Sequence, residues 1–166
     1  MGCARAGNAQ AAKTSLSQLT APSSTDARQT AYSNRDFIEI ERRAASAWIA
    51  LAEKNTAEAV QMMQSAADLE KSTLTTWAPA PVLPALEQLG DLLLELQRPR
   101  EALIAFEASM TATPNRFNGL YGAAVAGDRA GDAAKADAYF AKLTANCKDS
   151  ASDRSELTLA RKRVGH

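Results

Sequence analysis

The sequence predicts an all-α fold built from antiparallel helix pairs, on three observations. The 166 residues are 46% hydrophobic but only 5% aromatic, with alanine and leucine supplying the apolar content. That composition suits helices packed closely through small side chains and argues against a β-sandwich or barrel. The stretch from Arg5-Ala6-Gly7-Asn8-Ala9 to Leu19-Thr20-Ala21 aligns without a gap to Arg129-Ala130-Gly131-Asp132-Ala133 through Leu143-Thr144-Ala145, much later in the chain. Finally, Gly90, Ala102 and Phe106 recur, at identical spacing, as Ala124, Ala136 and Phe140. A fixed period of about 34 residues is the signature of stacked supersecondary units.

The elements come in order. A helix over 8–20 opens after Gly7-Asn8, which reads as the turn between two helices because Gly131-Asp132 occupies that place in a complete unit. A long helix over 25–53, with Ser33-Asn34 as its weakest point, precedes one over 56–71, where Asn55 and Glu58 match a capping box. Residues 72–82 contain Trp77, Pro79 and Pro81 and should run as an extended, proline-rich insertion. Trp77 is too apolar to stay in water, and is expected to fold back beside Glu87 and Asp91. Helices over 83–97 and 99–112 form the next pair; Pro114 stops it and Asn115 is suited to cap the succeeding helix. Helices over 116–130 and 133–146 form the last pair. A final helix over 153–163 carries Asp153 and Glu156 as a capping box and Arg161, Lys162 and Arg163 at its C-terminal end.

The stretch Leu83 to Arg116, with Gly90, Ala102, Phe106 and Pro114 in their places, resembles the tetratricopeptide repeat. The unit that starts at Phe117 continues in phase with Ala124, Gly131, Ala136 and Phe140, although Ser109 and Leu143 stand where alanine is usual. An earlier degenerate unit matches through Ala47, Ala59, Met63 and Ala66, with Arg43 where a large apolar residue is usual. Small residues facing each other let helices approach to about 8–9 Å, so Gly90 should pack on Ala102, and Ala124 on Ala136. The resemblance implies a single domain over 1–166, a short right-handed superhelical solenoid. It comprises a half repeat (1–21), a degenerate repeat with a long first helix (25–71), the insertion (72–82), two full repeats (83–116 and 117–150) and a capping helix (153–164). The run from Pro114 to Ala124 is also similar to the carboxyl-terminal segment of bacterial proteins of this family, mostly uncharacterised.

Function is less legible. Lys+Arg and Asp+Glu both number 19, so the balanced charge gives no basis for nucleic-acid or polybasic membrane binding. No run of about 18 apolar residues suggests a membrane span, and the start Met1-Gly2-Cys3-Ala4-Arg5-Ala6 has neither a signal-peptide core nor the Ser or Thr of a myristoylation motif. The default expectation is cytoplasmic, or exported if the chain belongs to a longer precursor. Cys3 and Cys147 are expected to be free thiols. The single histidine, His166, and the lack of any phosphate-binding loop point to no enzyme, no cofactor and no metal. The expected function is a non-catalytic protein–protein interaction module holding a peptide or protein segment on its concave face; the alternative is an architectural or oligomerisation segment with an occluded groove.

Candidate contacts come from the groove-lining positions that the resemblance implies. These are Glu87, Asp91 and Glu95 on one helix, Tyr121, Val125 and Arg129 on the next, and Trp48 on the degenerate repeat. Glu87, Asp91 and Glu95, spaced by four, lie in a row. They read either as an acidic strip for a basic or amide-bearing peptide or as a solvated face paired with arginines. Trp48 reads either as a ligand contact or as core. Lys and Asn, which in some members of the family clamp a terminal carboxylate, are replaced here by Glu87 and Asp91, so no such clamp is implied. Leu16 and Leu19 would leave an apolar stripe on the half repeat, from which a homodimer through this end is expected.

Overall fold

The computed structural model describes Ala4 and residues 8–18, 34–73 and 83–165. The chain is all-α, with a helical repeat-like build. Eight helices are delimited among the described residues: α1 (Ala9–Ser17), α2 (Asn34–Ala52), α3 (Thr56–Thr73), α4 (Ala85–Glu95), α5 (Pro99–Ala112), α6 (Phe117–Ala130), α7 (Ala133–Asn146) and α8 (Ser155–Val164). Expectations about Cys3, Gly7, Leu19, residues 25–33 of the long helix, Trp77, residues 74–82 of the insertion and His166 lie outside the described residues. The helix expected to stop at residue 71 runs on to Thr73. The chain divides into two compact units, Met1–Leu89 and Gly90–His166, so the boundary falls within α4.

In the first unit α2 and α3 form a helical hairpin. The positions expected to be small or tightly packed, Ala47, Ala59, Met63 and Ala66, are all fully buried. The turn is closed by two bonds, Lys54 N–H to Leu51 O (2.9 Å) and Asn55 N–H to Ala50 O (2.8 Å), with Lys54 left-handed at φ 66°. This is the Schellman arrangement, which satisfies carbonyls left open at a helix end. Hydrogen bonds account for Arg43 in its unusual place: Nη1 donates to Ser65 Oγ (2.7 Å) and Nε to Glu39 (2.9 Å), so the side chain ties α2 to α3. α1 packs on α2 through buried Ala12, and Lys13 pairs with Glu53. Its exposed positions are polar (Gln10, Lys13, Thr14, Ser17), and Leu16 is half-buried.

α4 begins in this unit without a cap of its own, since Pro84 precedes it. Its first N–H, on Ala85, is taken by both oxygens of the Glu70 carboxylate at 3.1 and 3.0 Å. Glu70 is buried, so α3 supplies the acceptor that the start of α4 needs.

In the second unit α5, α6, α7 and α8 pack in chain order. Its two tight turns repeat the Schellman bonds. Gln97 N–H meets Leu94 O and Arg98 N–H meets Leu93 O; one period on, Gly131 N–H meets Asp128 O and Asp132 N–H meets Gly127 O. Gln97 (φ 59°) and Gly131 (φ 81°) are both left-handed. The entry to α7 also matches the entry to α1: Asp132 (φ −95°, ψ 74°) accepts from Lys135 N–H, and Asn8 (φ −97°, ψ 74°) accepts from Ala11 N–H. The alignment of the first residues with those from Arg129 onward therefore has a conformational counterpart.

The small positions expected to be buried are buried, and Gly90 and Gly122 have further close neighbours. Gly90 meets the ring of Phe106 before anything on Ala102: a methyl built on Gly90 would stand 2.6 Å from the ring, and one on Gly122 nearer still. Phe106 is thus held between two glycines, and the repeat pattern gave no hint of Gly122. Similarly, Ala136 is approached by Gly127, whose added methyl would lie 3.1 Å from Ala136 N. Ala124 sits in a cluster with Leu120, Phe140, Leu143 and Ala160.

Two expected caps are also replaced. Asn115 is left-handed (φ 63°) and Arg116 precedes α6 with no side-chain cap, because the turn after Pro114 takes Asn115 out of capping geometry. The Asp153–Glu156 box does not form; Arg154 is the residue before α8, and Glu156 instead bonds to Arg154 (3.2 Å). The arginines of α8 serve its neighbours. Arg161 donates to the carbonyls of Cys147 (3.3 Å) and Ser150 (2.8 Å) after α7, and Arg163 pairs with Asp137 (2.9 Å) and Asp128 (3.2 Å).

Candidate functional site

The seven candidate residues separate into a buried pair and an accessible set. In the first unit Trp48 is 2% exposed, and its Nε1 donates to Gln88 Oε1 (3.2 Å) while Gln88 Nε2 donates to Leu83 O (3.2 Å). A tryptophan whose N–H is matched and whose ring is enclosed belongs to the core. Glu87 is 4% exposed in the first turn of α4. Neither side chain faces solvent as the groove reading requires. Trp48 thus follows its core reading, whereas the burial of Glu87 departs from both readings of the acidic strip.

Burial eases along α4. In the second unit Asp91 is half-buried and Glu95 exposed, so the expected strip of three carboxylates reaches solvent only toward its C-terminal end. On α6, Tyr121 and Val125 are half-buried and Arg129 is exposed. Their spacing of four places them in one row, which continues at its start with half-buried Phe117. Tyr121 stands edge-on to Phe140, with centroids 6.3 Å apart and planes at 67°. Burial raises the Tyr121 phenol above its ordinary range; the charge of Glu156 adds to the rise and that of Arg129 opposes it. The Tyr121 hydroxyl therefore sits in the fields of an acid from α8 and a base from its own helix.

The beginning of α8 contributes residues that sequence reasoning did not select. The Arg154 guanidinium lies over the Phe117 ring, 3.9 Å from its centroid, and bonds to Glu156 (3.2 Å) and Asn118 (3.5 Å). Such stacking is worth about 0.5–1 kcal/mol at exposed sites. The available signal was the aromatic row Phe117–Tyr121; what lies over it is decided by a residue two helices later. The result is a face with aromatic and aliphatic surface, an arginine at each end and carboxylates nearby. It offers contact area and charge.

A second polar cluster lies between α5 and α7. Glu107 Oε1 accepts from Lys135 Nζ (2.7 Å) and from the Tyr139 hydroxyl (2.8 Å). Burial and this bond push the Tyr139 phenol up to about 12. Among the described residues no group of three or more His, Cys, Asp or Glu side chains could hold a metal ion, and no helix is long and apolar enough to cross a membrane. No family model matches the chain, and no curated protein or solved structure matches it.

Proposed function

We propose that this chain is a non-catalytic binding module, a short solenoid of tetratricopeptide-like hairpins that holds a peptide or protein segment. The observation that carries the reading is the recurrence, one period apart, of the same turn at Gln97-Arg98 and Gly131-Asp132, down to its pair of hydrogen bonds. Full burial of Ala102, Ala124 and Ala136 supports it, because close helix approach at a fixed period is what such an array requires. Within the second unit the binding face is the row Tyr121, Val125 and Arg129 of α6, together with Asp91 and Glu95. It suits a segment with an apolar side chain for Tyr121 and Val125 and charges of both signs. Trp48 and Glu87 act from the core, as supports.

A displayed peptide library panned on the whole chain tests this. Recovered peptides should bind saturably, and Tyr121→Ala with Arg129→Glu should weaken them at least about tenfold, the effect of removing roughly 1.4 kcal/mol. Ile104→Ser, on the exposed side of α5, should leave them unchanged. Failure to recover any peptide, combined with a mass that rises with concentration, would favour the architectural reading, in which a second copy associates through α1.

A further inference from the structure

No further inference is drawn: the strongest candidate, the open trough along α3 lined by Val60, Gln64, Ser65 and Leu69 beside Arg43, is an unpartnered face with nothing in the structure to show what covers it.

Discussion

Phe106 shows how much of this fold depends on what is missing from a side chain. Its ring is 1% exposed and lies where methyl groups on Gly90 and Gly122 would stand, so it cannot yield to one glycine without striking the other. Gly122→Ala should therefore destabilise the chain, because overpacking costs roughly 1–3 kcal/mol and helix propensity returns at most about 1. A thermal midpoint at or above wild type would overturn this packing. Tyr139 gives a second expectation, in pH. Its folded phenol titrates near 12, above the ordinary 10, so the stability it contributes is complete below pH 10 and is lost as pH rises toward 12. Lys135, raised by the same Glu107 bond, moves in the same direction. Melting curves between pH 9 and 11.5 should fall more steeply for wild type than for Tyr139→Phe.

At the scale of elements, the turns carry the repeat more faithfully than the helices do. Lys54, Gln97 and Gly131 adopt the same left-handed conformation, yet only Gly131 is a glycine. A side chain in that conformation costs about 1 kcal/mol, partly offset by the greater freedom of glycine in the unfolded chain. Gln97→Gly should stabilise the chain by roughly 0.5–1 kcal/mol. Gly131→Ala, with open space around it, should destabilise through backbone strain alone. Equal midpoints for all three proteins would show that these turns are not under strain. Helix starts behave differently. Asn8 and Asp132 cap through their own side chains, whereas α4 borrows Glu70 from α3, a partnership between residues 15 positions apart that no local pattern announces.

At the scale of the molecule, the second unit is closed by α8. Leu157 is 1% exposed, Ala160 is fully buried, and Ala160 joins Leu120, Phe140 and Leu143. Through Ala160, α8 covers apolar surface of α6 and α7 that water would otherwise reach. Leu157→Ala should cost about 2–5 kcal/mol and increase the binding of a hydrophobic dye before the main unfolding transition. A variant that melts as wild type with no added dye binding would mean that α8 does not seal this unit. The surface pairs of Arg163 with Asp128 and Asp137 are solvent-exposed and weakened by salt screening. They align α8, while apolar burial holds it.

The all-α class, the helix bounds from Thr56 onward to within a few residues and the small buried positions were determined by the sequence alone. Period, glycine placement and helix propensity are local properties, and a recurrence at constant spacing expresses them repeatedly. Which surfaces those small residues meet was decided only in three dimensions. Gly90 meets the Phe106 ring at closest approach, and Ala136 is approached by Gly127; these neighbours are set by how whole helices pack rather than by the repeat spacing. The candidate face divides the same way. The row Tyr121, Val125 and Arg129 was expected from the resemblance to the repeat, and its spacing of four sets it on one side of α6. The burial of Trp48 and Glu87 and the reach of Arg154 over Phe117 depend on contacts between residues distant in sequence, whose geometry is set by packing.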